Sequence, residues 1–175
     1  MQRCLREETN AQMLLFNKYA PAMLGICFRY ANNSQEAEDM MQEGFVHVFN
    51  KLSQFKGHSA LKTWITRIMI NTSINYLRKH HKIKWDNDLG FVSDNLDHSN
   101  EQFSNYDAKV VMQCMQTLPD GYRMVLNLFA IEGFSHKEIG EMLGIKEATS
   151  RSQFAKAKNY LQKQLAQNGI FYKAQ

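Results

Sequence analysis

The sequence contains few of the residues on which all-β and disulfide-bonded proteins depend. Among its 175 residues are nine glycines and two prolines, which are too few for the many tight turns of an all-β protein. Its three cysteines are odd in number and far apart, which argues against a disulfide framework. No apolar run approaches the roughly 20 residues of a membrane-spanning helix, and no signal-peptide pattern opens the sequence. These absences predict a soluble, mainly helical protein of a reducing compartment, the cytoplasm.

The charges that are present are segregated along the chain. The formal net charge is +4, but residues 1–43 carry −2, residues 44–85 carry +8, residues 86–108 carry −6 and residues 109–175 carry +4. The second block has eight basic residues and no acidic residue. Such segregation indicates that two separated segments bind a polyanion, although solvated helix faces are an alternative.

Apolar residues that recur every three or four positions predict an all-α fold of two small helical domains. Before the acidic segment, helices are expected over residues 9–29, from Ser34 as N-cap, and from about residue 59 into the basic run 78–82. After it, helices are expected over residues 110–118, 122–131, 136–143 and 147–165. The predicted domains are residues 1–84 and 108–175, joined by a flexible acidic linker at residues 85–107.

The C-terminal domain is predicted to contain a helix-turn-helix. Ser135 and Glu138 fit a capping box, which opens a short helix, and Gly144 permits a sharp turn after it. A long basic helix follows, although Lys146 is a poor N-cap for it. Thr, Ser and Gln on that helix suit base edges, while Arg and Lys suit phosphates or guanine. An ordinary helical hairpin with a solvated basic face is the alternative.

Two ordered segments resemble a known family. Residues 15–82, which begin LFNKYAPAML and end INYLRKHHK, resemble the second conserved region of bacterial RNA polymerase sigma factors. Residues 118–165, which begin LPDGYRMVLN, resemble their fourth region. Nothing resembles the third region, and this two-module form is typical of the extracytoplasmic-function subfamily of the sigma-70 family. The resemblance implies a protein that binds core polymerase, recognises the −10 and −35 promoter elements and promotes strand opening to initiate transcription.

The resemblance also assigns roles to residues. Residues 36–49 resemble the core-polymerase-binding helix, whose candidates are Glu36, Glu38, Asp39, Gln42, Glu43, Phe45 and Phe49, with the two phenylalanines expected to divide between core and interface. Acidic residues near a helix start also complement the helix dipole, which is an alternative role for Glu36 and Glu38. The loop at 55–59 and the next helix resemble the element that recognises and melts the −10 region, with candidates Lys56, His58, Lys62, Arg67, Asn71, Asn75, Arg78, Lys79 and Lys82. The −35 candidates are Ser135, His136, Thr149, Ser150, Arg151, Gln153, Lys156 and Lys158. Trp64 suits either the core or a base-stacking surface, and its spacing favours the core.

The implied partners are core RNA polymerase, promoter DNA and an anti-sigma factor. No cofactor, metal site or enzymatic activity is expected, because the six histidines lack zinc-site spacing and neither a phosphate-binding glycine loop nor a Ser-His-Asp signature is present. A stand-alone DNA-binding regulator is the rival hypothesis, but it would need neither residues 36–49 nor the +8 block. The acidic linker is open to two interpretations, a nucleic-acid mimic in the polymerase channel or a solvated tether.

Overall fold

The computed structural model describes residues 8–83 and 108–168, together with Cys4 and Arg6, and the side chains of the second range from residue 110 onward. The described residues form helices and no strand, and the chain divides into two compact units, Met1–Lys82 and Ile83–Gln175. The predicted fold class, all-α with two helical domains, is confirmed. Residues 85–107, the predicted linker, lie outside the described residues.

In the part of the first unit that the structure describes, three helices pack against one another as a bundle: α1 (Thr9–Tyr30), α2 (Ser34–Lys51) and α3 (Leu61–His80). A 3-10 turn, Leu52–Gln54, follows α2. Fully buried side chains from all three helices form the core, among them Met23, Met40, Val48, Ile65, Met69 and Leu77. Burial of each such side chain contributes about 1.5–3 kcal/mol. The apolar spacing of the sequence therefore does produce the buried face of each helix.

The start and the middle of α2 fix how this helix meets its neighbours. Asn33 has extended backbone angles and its side-chain oxygen accepts a hydrogen bond from the Glu36 N–H at 2.9 Å, so Asn33 is the N-cap. The prediction of Ser34 as cap is wrong by one residue, because Ser34 is already helical. Gly44 faces α3 so closely that a Cβ there would collide with the side chain of Met69. This glycine allows α2 and α3 to pack tightly.

The second unit is arranged around its last helix. It contains α4 (Ala108–Gln116), α5 (Asp120–Leu126), α6 (His136–Leu143) and α7 (Glu147–Gln167), and α7 packs against the other three. Buried residues from α4, α5 and α7 share one core, including Cys114, Leu126, Ala157 and Leu161. The helix predicted over 122–131 ends in a π-helical turn, Asn127–Ile131, where the Glu132 N–H donates to the Asn127 carbonyl at 3.0 Å.

A buried arginine joins α4 to α5. The guanidinium of Arg123 is fully buried and donates to the carbonyls of Gln116 (3.1 Å) and Leu118 (3.2 Å), which lie at and just beyond the end of α4. It also pairs with the Asp120 carboxylate at 2.5 Å. A buried charge is tolerated only when it is paired and hydrogen-bonded, and Arg123 meets both conditions.

Candidate functional site

The polar side of α2 carries an exposed row of acidic and amide side chains. Glu38, Gln42 and Glu43 are exposed along it. Val46, which is 57% exposed, lies one helical turn beyond Gln42 and Glu43, so an apolar side chain extends this row. Sequence reasoning missed Val46, although its spacing of three and four residues from the polar pair could have identified it.

The two phenylalanines expected to divide between core and interface have different environments. Phe45 is buried, and its ring lies 4.6 Å from that of Phe16 on α1. Phe49 is half-buried, with its ring 6.1 Å from that of Phe45. Phe45 therefore belongs to the bundle core, and Phe49 lies at the edge where the core meets the surface.

Glu36 and Asp39 bond within the protein. One oxygen of Glu36 lies 3.3 Å from Nε2 of His81, and the other accepts a hydrogen bond from the Asn32 N–H at 2.9 Å. One oxygen of Asp39 accepts from the Tyr76 hydroxyl at 3.4 Å. Burial raises the pKa of Tyr76, and the negative charge of Asp39 raises that pKa further. These two carboxylates face α3 and the residue after it.

All nine predicted −10 residues are exposed. Along α3, Arg67, Asn71 and Asn75 follow at intervals of four and form one stripe, because residues four apart lie on the same face of a helix. Arg78 and Lys79 continue this surface through the last turn, and Lys82 follows the helix. Lys62 lies in the first turn of α3, while Lys56 and His58 flank Gly57, whose φ of +76° requires a glycine.

An aromatic pair borders the same loop. The rings of Phe55 and Trp64 lie 5.4 Å apart, and both side chains are half-buried. Trp64 therefore packs against the loop residue Phe55 while keeping part of its surface exposed.

The second unit contains the predicted helix-turn-helix. Ser135 Oγ accepts from the Glu138 N–H at 3.3 Å and the Glu138 carboxylate accepts from the Ser135 N–H at 2.8 Å, which confirms the capping box. Gly144 adopts the left-handed φ of +68° at the turn. A Cβ on Gly140 would lie 2.8 Å from the Ile145 carbonyl oxygen, so the turn folds back tightly on α6.

Three of the eight predicted −35 residues lie in the interior: His136, Ser150 and Gln153. The imidazole of His136 stacks on Phe129, with ring centroids 4.2 Å apart, and its Nδ1 is hydrogen-bonded to Ser150 Oγ at 2.9 Å. Burial lowers the pKa of His136, and the positive charge of Arg151 lowers it further. These side chains are occupied between α6 and α7, so they do not form the outer surface of α7.

The outer surface of α7 is formed by other residues. Arg151 is exposed and pairs with Glu147 at 2.5 Å, one turn earlier on the same helix. Thr149, Lys156 and Lys158 are half-buried, and Ser135 at the start of α6 is exposed. Sequence reasoning missed the exposed Ser152, whose hydroxyl donates to the Thr149 carbonyl at 2.9 Å. Lys146, as expected, makes no side-chain cap for α7.

The residues that the structure describes contain no group of three or more His, Cys, Asp or Glu side chains that could hold a metal ion. None of the helices described there is long and apolar enough to cross a membrane.

Two protein families match the chain in the expected order, Sigma-70 region 2 over residues 15–83 and Sigma-70 region 4 over residues 108–161. The RNA polymerase sigma-H factor of Pseudomonas aeruginosa is 30% identical, across 94% of this chain and 91% of that protein. The ECF RNA polymerase sigma-E factor of Haemophilus influenzae is 26% identical, across 94% of this chain and 93% of that protein.

Solved structures share the fold. The sigma factor RpoE, crystallised with the anti-sigma factor NepR from Bartonella quintana, matches with a TM-score of 0.55 and 21% identity over 88% of this chain and 96% of that chain. CnrH, in complex with the cytosolic domain of CnrY, matches with a TM-score of 0.50 and 17% identity over 95% of each chain. The chain belongs to the sigma-70 family, as a factor of the extracytoplasmic-function type that joins core RNA polymerase to promoter DNA and initiates transcription.

Proposed function

We propose that the two units divide promoter recognition between them. Residues 1–84 bind core polymerase through the outer face of α2 and the −10 region through α3, residues 108–175 read the −35 element through α7, and residues 85–107 connect them. The observation that carries this proposal is the chemistry of the first unit, in which α2 exposes an acidic row and α3 exposes a basic one. Opposite charges on neighbouring helices suit two different partners, a protein and a polyanion.

The proposed polymerase-binding surface consists of Glu38, Gln42, Glu43, Val46 and Phe49. Polar side chains beside exposed apolar ones are typical of a protein interface with an apolar centre and a polar rim. Val46→Asp places a charge in that centre and is expected to weaken binding to core polymerase about tenfold. Ala22→Lys, an exposed change on α1, serves as the control. The dissociation constant is measured with labelled core polymerase, and equal affinities for the two variants would contradict this surface.

The proposed −10 surface separates backbone contacts from base contacts. The cations of α3 and the adjoining loop hold the phosphates of the unpaired strand, while the amides of Asn71 and Asn75 bond to base edges. Lys79→Ala is expected to weaken binding of every −10 sequence and to reduce the slope of log affinity against log salt by about one. Asn75→Ala is expected to leave the slope unchanged and to relax the preference for particular −10 bases. Identical behaviour of the two variants would contradict this division.

The proposed −35 surface is the outer side of α7, with Thr149, Arg151, Lys156 and Lys158, together with Ser135. His136, Ser150 and Gln153 support this helix from the interior. Lys156→Ala is expected to weaken binding of a −35 duplex by the holoenzyme and to lower the salt slope by about one. Lys163→Ala, two turns further along the same helix, is the matched control. A loss in the control equal to that in Lys156→Ala would contradict this surface.

We also propose that the chain has no catalytic activity of its own, acts in the cytoplasm where polymerase and chromosome are, and is held inactive by an anti-sigma factor. The structure of the sigma factor RpoE bound to the anti-sigma factor NepR supports the last point. The rival is a DNA-binding regulator that works without polymerase. Core polymerase mixed with this chain is expected to start transcription at a dedicated promoter. Failure to bind core polymerase under conditions in which another sigma factor binds would overturn the proposal.

A further inference from the structure

A closed group of polar contacts connects the start of α2 to the end of α3. Nδ2 of Asn32 lies 3.3 Å from Nδ1 of His81, although 49 positions separate them in the sequence. On the other side of the ring, Nε2 of His81 lies 3.3 Å from one carboxylate oxygen of Glu36. The other oxygen of Glu36 accepts a hydrogen bond from the Asn32 N–H at 2.9 Å. The side chains of Glu36 and His81 are only 18% and 21% exposed. Partial burial strengthens this connection relative to a surface ion pair.

The donors and acceptors of this group agree with one another in the neutral form of His81. An amide nitrogen can only donate, so Nδ1 of His81 accepts from Asn32 and carries no hydrogen. The hydrogen of the neutral ring is then on Nε2, where it faces the Glu36 carboxylate. In this tautomer, each ring nitrogen of His81 faces a partner on the α2 side.

A second connection lies three residues further along α2 and five residues nearer the start of α3. The Tyr76 hydroxyl donates to Asp39 at 3.4 Å, and the other oxygen of that carboxylate accepts from Gln35 at 3.1 Å. The ring of Tyr76 lies 4.4 Å from the ring of His80. Asp39 and Glu36 therefore both face the last two turns of α3, while Glu38, Gln42 and Glu43 are exposed.

These two connections reach the part of α3 that carries its densest positive charge. His81 is the C-cap of α3, and Arg78, Lys79 and Lys82 lie within three residues of it. Helix ends fray easily. Long cationic side chains bind DNA phosphates best when the protein main chain that carries them is held in place. The Glu36 carboxylate, through His81, and the Asp39 carboxylate, through the Tyr76 hydroxyl, supply that restraint from α2.

We propose that Glu36 and Asp39 are positioning residues, which act through His81 and Tyr76 to hold the basic end of α3 in place for the separated DNA strand. This inference rests on the proposed roles of α2 and α3. It divides the acidic side chains of α2 into two sets with different tasks, an inner pair that orders the DNA-binding end of α3 and an outer row that meets the polymerase.

The chain contains a matched control for this pair. Glu43 and His47 form a second carboxylate–imidazole pair, 3.7 Å apart, within α2 and more exposed than the first. The same substitutions can therefore be made in both pairs: Glu36→Ala, His81→Ala and the double variant, against Glu43→Ala, His47→Ala and their double variant. Two quantities are measured for each, the dissociation constant for core polymerase and the rate of promoter opening by preassembled holoenzyme. Opening is followed with a fluorescent base analogue in the −10 element of a promoter fragment selected by transcription with the wild-type holoenzyme.

The expected results separate the two pairs. Glu36→Ala and His81→Ala are each expected to slow opening about threefold with core affinity unchanged, and the double variant is expected to be no slower than the slower single variant, because one connection is lost only once. Glu43→Ala is expected to weaken core binding, and His47→Ala is expected to change neither quantity. Tyr76→Phe removes a single hydroxyl, keeps the aromatic ring, and is expected to slow opening without loss of the fold.

Two results would overturn the inference. One is weaker core binding by Glu36→Ala, comparable with that of Glu43→Ala, with normal opening, since Glu36 would then be a polymerase contact. The other is normal opening in Glu36→Ala, His81→Ala and Tyr76→Phe. If the proposed polymerase-binding surface is wrong, Glu43→Ala and Val46→Asp will both leave the affinity for core polymerase unchanged. The opening measurements then still test the role of Glu36.

Discussion

His136 and Ser150 are buried where α6 meets α7, and the hydrogen bond between them removes most of the cost of burying two polar groups. The ring of His136 also packs flat against Phe129 and lies beside Phe154, with centroids 5.8 Å apart. A charged imidazolium would be poorly solvated in this position, which agrees with the lowered pKa of the group. His136 is therefore a neutral core residue that joins the two helices of the helix-turn-helix.

The stability of the second unit is expected to fall in acid because of His136. An unperturbed histidine has a pKa of about 6.5, and the folded value lies below it, so the unfolded state takes up the proton first as the pH falls. The stabilising contribution is therefore complete above about pH 6.5 and is lost below it. Hydrogen exchange of the α6 amides, corrected for intrinsic rates, measures this between pH 7.5 and 5.5. His136→Phe cannot titrate and is expected to show a smaller pH effect; an equal effect in both proteins would contradict the prediction.

Two helical glycines of the first unit are expected to respond oppositely to alanine. Gly25 has open space around its Cα, so Gly25→Ala should raise the free energy of unfolding by about 0.5–1 kcal/mol through helix propensity. Gly44→Ala gains the same propensity, but its Cβ collides with the buried Met69 side chain, and overpacking of this kind costs about 1–3 kcal/mol. Urea unfolding in a Trp85→Phe background, in which Trp64 is the remaining tryptophan, measures the stability of both variants by fluorescence. A stabilised Gly44→Ala would show that Met69 moves aside freely.

At the scale of elements, the two helices of the helix-turn-helix begin differently. The capping box of α6 satisfies backbone donors with side chains, whereas α7 begins at Lys146 with no side-chain cap. Ser135→Ala is therefore expected to destabilise the second unit by about 1 kcal/mol, and Lys146→Ser to stabilise it by a similar amount. Thermal unfolding with a probe in the second unit measures both, and a shift of the same sign in the two variants would contradict the assignment of these caps.

Sequence reasoning located these elements well but misjudged one face of α7. The capping box and the helix His136–Leu143 were predictable because both depend on residues within a few positions of one another. The buried stripe of α7 was only partly predictable. Ala157 and Leu161 lie on it as expected, but so do Ser150 and Gln153, which hydropathy counts as surface residues. A polar residue becomes buried when a distant partner satisfies it, as His136 satisfies Ser150, and no local pattern encodes that partner.

The whole molecule shows the same limit at longer range. Apolar periodicity predicted the fold class, and the resemblance of two ordered segments predicted the family, because both can be read along the chain. The contacts of Glu36 could not be read in this way. The resemblance of residues 36–49 to the family's polymerase-binding helix suggested a polymerase contact, and only the fold shows that Glu36 lies beside His81, far away in sequence. Helical periodicity identifies the face on which a residue lies, and only tertiary packing determines what it meets.

Because the two units are separate compact bodies, each with its own core, their contributions to promoter affinity are expected to add. Arg67→Ala on α3 and Arg151→Ala on α7 should each lower the salt slope of holoenzyme binding by about one, and the double variant should lower it by about two. Their free-energy losses should sum within about 0.5 kcal/mol. Arg67→Ala combined with Asn71→Ala, one turn away on the same stripe, is the comparison in which coupling is expected. The measurement is promoter affinity between about 50 and 200 mM salt. A strong departure from additivity between Arg67 and Arg151 would mean that one unit alters how the other binds DNA.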